Sequence, residues 1–308
     1  MAKKISVIIP NCNGRDLLAK NLPVVIKNCP ECEIIIIDDG SIDESVKLLK
    51  AKFKSVKIIE NKKNEGFAES VNIGVKNAKD DLVLLLNTDV VPRKDFLKKA
   101  VDHFEKKGNK NLFAVGLCDI SHEDGRQVKR GRGGASFEKG FLTHFAAPVE
   151  SGPTLWVSGG SGLFDRQKFL ELGGFDNAFA PFYWEDIDLC YRAWKIGFIC
   201  IFEPGSQVDH YHEEGAIKKN KSAFYVKMVS YKNQFLFVWK NISDNTMIIQ
   251  HILWFPYHVL RAIAKLDRAF FFGFVWAISK ITALIFNYDQ SSLNDKLSDR
   301  GVLKKFER

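Results

Sequence analysis

The chain has 308 residues, 46% hydrophobic and 27% charged, a balance that excludes a disordered or fibrous protein and leaves room for a large core. Its six cysteines include one close pair, Cys29 and Cys32, with no second pair to complete a zinc site, and the pair precedes a strand rather than opening a helix, which argues against a thioredoxin-like role. The net charge of +8 is uneven: residues 1–217 hold 30 Lys+Arg against 31 Asp+Glu, and residues 218–308 hold 15 against 6, so the excess lies in the last third, where anionic lipid or nucleic acid is the usual partner.

The opening "MAKKISVIIPNCNG" is basic, but its apolar run is short and reaches Pro10 at once. No secretory leader is read there, and a cytoplasmic chain is expected. "KISVIIP", "CEIIIIDDG", "VKIIE" and "DLVLLLNTD" are short apolar runs that end in turn residues. Continuous apolar runs suit parallel strands covered on both faces. Between them "ESVKLLKAKF", "FAESVNIGVKNA" and "DFLKKAVDHFEKK" repeat apolar residues at helical spacing. Strands alternating with helices predict an α/β fold with a mainly parallel central sheet, in which ligands bind beyond the carboxyl ends of the strands.

Residues 119–155 are rich in Gly, Arg and His and predict a long irregular loop region. "LWVSGGSGLF" then reads as a strand interrupted by glycines. "DRQKFLELGG" reads as a short helix with Asp165 as its N-cap. "EDIDLCYRAWKIG" predicts a helix with Ile187, Cys190, Tyr191 and Trp194 inward and Gly197 as its stop. From about residue 222 the texture becomes long, aromatic, basic and helical.

Four polar clusters fall where an α/β site belongs: "PNCNG", "DDGSIDES", "NTD" and "WEDID". Each has a purely structural reading. Asp-Gly-Ser is a common turn, "NTD" can cap the next helix, and acids at a helix start are favoured by the dipole.

As an ordered set they are specific. "SVIIPNCNG", "IIIIDDGSIDES", "NEGFAESVNIGVKNA", "LLLNTDVVP" and "GGFDNAFAPFYWEDIDLCYRAWKIGF" span about residues 5–200 and resemble the glycosyltransferase family 2 proteins. The nearest branch resembles rhamnosyltransferase-like enzymes of cell-surface polysaccharide assembly, and "YKNQFLFVWKN" fits that branch too. The resemblance implies a GT-A nucleotide-sugar-binding fold over residues 1–221, with a nucleotide half to about 118 and an acceptor half from 119. Residues 222–308 would then form a helical, membrane-associating region.

It also implies roles. Asp39, Pro10, Asn11, Asn64, Gly66 and Phe67 are expected on the donor nucleoside or its loop, with Asn87 near ribose or phosphate. Asp89 is expected as the carboxylate ligand of a divalent metal, Mg or Mn, completed by His210, which follows the strand-like "FICIFEPGSQV" and is favoured over His212. Hard cations bound by carboxylate and phosphate oxygens suit a leaving diphosphate. Asp186 matches the family's general base, which removes the acceptor hydroxyl proton in an inverting, in-line transfer. Glu185, Trp184, Gly159 and Gly160 are expected on the acceptor side. Asp188 lies two residues beyond the base, about 200° around a helix, and is expected to be structural. The donor is expected to be a dTDP- or UDP-sugar, and the acceptor a saccharide or lipid-linked hydroxyl.

Residues 246–264 contain His251, Pro256, His258 and Arg261, which argues against a membrane span, while residues 269–287 carry only Lys280 as a charge. Residues 269–287 alone leave a span open; the pair reads as amphipathic helices lying on an anionic inner membrane face, with no nucleic-acid partner, the alternative being a helical subdomain packed on the core or a dimer interface. Two other classes compete. A sugar nucleotidyltransferase would open with a Gly-rich, Arg-containing phosphate loop, which "PNCNGRD" lacks. A non-catalytic nucleotide-sugar-binding relative would lack the base and metal positions, which are filled here.

Overall fold

The computed structural model describes residues 3–106, 108–123, 125–211, 221–281 and 295–306. Twelve strands run in chain order: β1 (Ile5–Asn11), β2 (Glu33–Asp39), β3 (Lys57–Asn61), β4 (Leu82–Leu86), β5 (Val90–Pro92), β6 (Leu112–Glu123), β7 (Arg126–Arg130), β8 (Gly133–Glu138), β9 (Phe141–Ala146), β10 (Gly152–Pro153), β11 (Ser161–Asp165) and β12 (Ile199–His210). The helices are α1 (Arg15–Asn28), α2 (Ser45–Lys52), α3 (Phe67–Asn77), α4 (Phe96–Glu105), α5 (Arg166–Glu171), α6 (Glu185–Lys195), α7 (Ala223–Asn241), α8 (Asn245–Ala264), α9 (Arg268–Ser279) and α10 (Asp299–Leu303).

The main sheet has the order β10-β12-β6-β11-β4-β1-β2-β3, with β5 on β12 and β7 on β6. β1, β2, β3 and β4 pair in parallel, as do β6 and β12, while β11 runs antiparallel between β4 and β6. The apolar runs have the expected cause. Alternate residues of a strand face opposite sides. Ile8, Ile35, Ile37, Val83 and Leu85 enter one core with α3 and α6; Val7, Ile9, Ile34, Ile36, Leu84 and Leu86 enter another with α1, α2 and α4.

α3 lies close on the sheet because Gly74 has no side chain. A Cβ there would sit 2.3 Å from Ile8 Cγ2 and 2.7 Å from Ile37 Cδ1. Gly74→Ala is therefore expected to destabilise the protein by about 1–3 kcal/mol through overpacking, despite alanine's better helix propensity. An unchanged urea midpoint in chemical denaturation would contradict this.

The expectation of a loop over residues 119–155 is corrected. β6 continues to residue 123, β7 returns beside it, and β8 with β9 forms a separate hairpin. The chain turns at Gly125 (φ 73°), and at Lys139 and Gly140 (φ 50° and 79°). All five residues of β7 are exposed, so no apolar alternation marks it as a strand.

α7 is not a loose appendage. Phe235, Leu236, Phe237 and Val238 join the core that holds Trp184 and Tyr191. Asp188, fully buried, accepts from Arg192, Lys240 and Asn241 at 2.9–3.0 Å, and so ties α6 to α7. Asp299 of α10 accepts from Tyr191 Oη at 2.7 Å and from the amides of Ser243 and Asp244 at 2.8 Å. Among the described residues no helix is long and apolar enough to cross a membrane. Residues 282–287 of the stretch considered above lie outside the described residues, as does His212.

Candidate active site

The carboxyl ends of β1, β2 and β4 share one edge of the sheet, and the amino end of antiparallel β11 meets them there. At the end of β1, beside Pro10, Asn11 Nδ2 donates to Asp38 Oδ1 at 2.9 Å and to Ser41 Oγ at 3.2 Å. Asn11 Oδ1 is buried with no hydrogen-bond partner among the described residues. Asp39 receives Asn61 Nδ2 and the amide of Glu65 at 2.8 Å on one oxygen, and the amide of Gly66 at 2.9 Å on the other. It therefore shapes the turn from β3 into α3 from within.

Gly66 has φ 94°, a left-handed conformation that glycine adopts without strain. Asn64, exposed on that turn, donates to Cys12 Sγ at 3.1 Å. Phe67 stacks on Phe175 with ring centroids 6.1 Å apart. Asn72, one turn on, pairs with the amide and carbonyl of Phe175 at 2.9 and 2.8 Å and so fastens the glycine-rich "GGFD" segment to α3.

After β4 the chain passes Asn87, Thr88 and Asp89. The Asn87 amide donates to Gly160 O at 3.0 Å, and a Cβ on Gly160 would lie 2.5 Å from Asn87 Nδ2. A side chain on Gly160 would displace the Asn87 amide group, so this contact brings the two sequence candidates together. Asp89 O accepts the Tyr211 amide at 3.1 Å, which sets the end of β12 beside it. His210 Nε2 then lies 3.6 Å from Asp89 Oδ2, and His210 Nδ1 lies 3.2 Å from Asp119 Oδ2. Asp119 belongs to β6 and was missed by sequence reasoning because it fell in the expected loop. Burial pulls the His210 pKa down, but the hydrogen bonds and charges of Asp119 and Asp89 win and raise it to about 9.

This donor set fits a hard or borderline divalent cation. One carboxylate and one imidazole nitrogen face each other closely enough to share an ion, and a second carboxylate holds the far ring nitrogen, the usual way a ligating histidine is oriented. A cation would take the place of the proton on Nε2. Among the described residues no group of three His, Cys, Asp or Glu side chains is set to hold a metal; Asp89 and His210 could supply two ligands, with other positions left for bound oxygens.

The fourth cluster opens α6. Asp186 Oδ1 accepts the Ile187 amide at 2.8 Å and Oδ2 accepts the Gly159 amide at 3.4 Å. Gly159 and Gly160 thereby link Asp186 to Asn87 across the start of β11. Burial raises the pKa of both acids: Glu185, which also feels the Asp186 charge, to about 8, and Asp186, eased by its two amide donors, to about 6. Two buried carboxyl groups side by side oppose each other's ionisation, so the pair holds its protons to higher pH than exposed acids do. Trp184 is buried, its ring against Phe237 and His144 at 5.2 and 5.7 Å. The exposed aromatic at this point is its neighbour Tyr183, 44% accessible, which sequence reasoning had not singled out.

Comparison with known proteins agrees with this architecture. Residues 6–172 match the family model for glycosyl transferase family 2. The chain is 27% identical over 229 residues to mouse polypeptide N-acetylgalactosaminyltransferase 10, covering 68% of this chain but 38% of that protein. It therefore spans about two fifths of that relative's length. A crystal structure of GalNAc-T7 with UDP, GalNAc and Mn2+ superposes with a TM-score of 0.66 at 19% identity, covering 93% of this chain and 58% of that one. The mannosyltransferase PcManGT of Pyrobaculum calidifontis, in complex with GDP-Man and Mn2+, gives a TM-score of 0.56 at 14% identity over 96% of this chain and 88% of its own. The matched family segment covers more than half of the sequence and carries the Asn11, Asp39, Asp89 and Gly160 clusters, and the chain belongs to glycosyltransferase family 2, with the GT-A fold.

Proposed function

We propose that the protein is an inverting glycosyltransferase that moves a sugar from a nucleoside diphosphate to an acceptor hydroxyl, in the rhamnosyltransferase-like branch that builds cell-surface polysaccharide or glycolipid. The observation that carries this reading is Asp186. It is a carboxyl group whose pKa burial raises toward neutrality, held by two backbone amides, and joined through Gly159 and Gly160 to the strand end that bears Asn87 and Asp89. Asp186 takes the proton of the acceptor hydroxyl as its oxygen bonds to the anomeric carbon. The bond from that carbon to the diphosphate breaks, and its electron pair leaves with the nucleoside diphosphate. Asp89 and His210 would hold Mg or Mn, which supplies positive charge against the diphosphate. Mn2+ in two structural neighbours supports a divalent ion, and their UDP and GDP-Man support a nucleotide-sugar donor. Pro10, Asn11, Asp39, Asn64, Gly66 and Phe67 form the donor wall. Glu185, whose protonated form burial and the Asp186 charge favour, offers a hydrogen bond to the acceptor beside the exposed Tyr183.

The test is incubation with Mn2+ or Mg2+ and a panel of dTDP-, UDP- and GDP-sugars. Release of nucleoside diphosphate supports the reading. Pyrophosphate released from a nucleoside triphosphate and a sugar phosphate would establish a nucleotidyltransferase instead. Binding without turnover would establish a non-catalytic relative.

The same reading places the protein at the inner face of a membrane, where lipid-linked acceptors reside. α8, α9 and the turn between them expose Ile252, Leu253, Leu260, Leu266, Phe272 and Val275, with Leu253 72% and Leu260 67% accessible. Arg261, Lys265, Arg268 and Lys280 are exposed around them, neither helix carries an acid within its bounds, and Asp267, between the two, is paired with Lys227 at 2.7 Å. Apolar side chains rimmed by cations suit an anionic lipid surface. Leu253→Ser with Leu260→Ser is expected to lower binding to phosphatidylglycerol vesicles at least ten-fold, since burying each leucine contributes about 1.5–3 kcal/mol. Equal co-sedimentation of the variant and the wild type would refute the surface.

A further inference from the structure

We propose that Lys232 and Asn233, consecutive buried residues of α7, are positioning residues that clamp the chain leading into Asp186. The inference rests on Asp186 as the base and assigns a task to a helix outside the segment matched by the family model.

Residues 178–183 form a short 3-10 turn and an irregular run with no strand pairing, so their carbonyls need partners from elsewhere. α7 supplies them. Asn233 Nδ2 lies 2.8, 2.9 and 2.8 Å from the carbonyl oxygens of Phe179, Phe182 and Tyr183. Lys232 Nζ donates to Ala178 O at 3.1 Å and to Ala180 O. Five carbonyls within six residues thus meet one point on one helix. Both side chains are fully buried.

The segment they hold is strained where it meets the site. Tyr183 and Trp184 have φ of 69° and 75°, two successive non-glycine residues in the left-handed region. Such residues persist only when their surroundings fix them. The Trp184 carbonyl then accepts the Asp188 amide at 2.8 Å and starts α6. The two inverted residues set the direction in which α6 leaves, and with it the aim of the Asp186 carboxylate. Without the clamp the strain is released and the base loses its place relative to Gly159.

α9 closes the clamp from behind. Trp276 lies under Lys232 Nζ, 4.9 Å from the ring centroid. Gly273 lets α9 approach closely, because a Cβ there would lie 2.7 Å from Met228 O and from Tyr231 Cβ. Burial, helped by the Lys280 charge, pulls the Lys232 pKa down to about 7, while the Glu185 and Asp176 charges oppose that shift. Carbonyl dipoles and a π face both stabilise a cation.

The experiment compares Asn233→Ala, Lys232→Met and Lys232→Arg with the wild type on the donor that the nucleotide-sugar panel identifies. Lys232→Met keeps volume and apolar packing while removing the donors. The expected result is a fall in kcat of about 100-fold for Asn233→Ala and about 10-fold for Lys232→Met, as for a base displaced by about 1 Å. Donor KM and UDP binding stoichiometry should change less than three-fold. Lys232→Arg should restore part of the loss, since it restores donors. Residues that merely stabilised the fold would lower nucleotide-binding stoichiometry and kcat together, and that outcome overturns the proposal. Amide hydrogen exchange over residues 183–188 provides a readout independent of turnover. It should quicken in Asn233→Ala, and unchanged protection also overturns the clamp. Absence of transfer by the wild type would be a failure of the functional reading, which the exchange measurement distinguishes from a failure of the clamp.

Discussion

Asp186→Asn is expected to lower kcat by about 10²–10⁴-fold, the range that a positioned general base contributes, while the affinity for nucleotide stays within two-fold of wild type. The substitution keeps the oxygen that accepts the Ile187 amide at 2.8 Å, so the start of α6 should survive. What it removes is the basic electron pair. The donor wall lies on other elements, at the ends of β1 and β2 and in the turn before α3, so nucleotide binding has no reason to fall. Glu185→Gln provides the contrast. Burial and the Asp186 charge favour the protonated form of Glu185, so a neutral amide of the same shape should cost about ten-fold or less, through an altered acceptor contact. Turnover by Asp186→Asn near the wild-type rate, with Glu185→Gln inactive, would transfer the base to Glu185.

The same pair sets a pH dependence. The Asp186 pKa is raised to about 6 by burial, and the base works only when deprotonated. Transfer should therefore rise with pH from 5 to 7 and level above that. The two acids interact, so the midpoint belongs to the pair rather than to one residue. A kcat profile flat from pH 5 to 8 would contradict an ionisable base in this position.

Much of this arrangement was legible in the sequence, and the parts that were not share a cause. The parallel strands announced themselves because both faces of Ile34, Ile35, Ile36 and Ile37 are buried, which leaves no polar alternation to blur the run. Polar residues directly after such runs had to sit on the ligand edge, so Asn11, Asp39, Asn87 and Asp89 could be picked out. Asp119 could not. It sits inside a stretch of charged and glycine residues, and its meaning comes from the parallel pairing of β6 with β12, which sets Asp119 opposite Val208 and within 3.2 Å of His210, residues far apart in sequence. Lys232 and Asn233 were visible only as part of an aromatic, basic helix. A lysine in such a helix ordinarily points to water, and only the carbonyl-rich loop folded against it makes burial tolerable. The strain at Tyr183 and Trp184 left no trace in the sequence, since neither position is glycine.

Asp89→Ala should abolish the part of nucleotide binding that depends on a divalent ion. With one carboxylate and one histidine facing the ion, Asp89 provides the only formal negative charge among the ligands proposed here, and Asn87, where a double-aspartate site would have a second carboxylate, adds none. The protein should therefore bind Mn2+ weakly by itself and strongly only with a diphosphate present. Titration calorimetry of UDP with Mn2+ should show wild-type affinity at least 100-fold above that of Asp89→Ala, while the two proteins match in EDTA. Asp119→Ala removes the carboxylate on the far nitrogen of His210, 3.2 Å away, and leaves both ligands in place. Loss of such an orienting partner typically costs 10–100-fold in metal affinity, so this variant should fall between the other two. That ordering separates a metal site from a simple ion pair. If Asp89, His210 and Asp119 only held strands β5, β6 and β12 together, the variants would lose melting temperature, and Mn2+ would make no difference to UDP affinity in any of them.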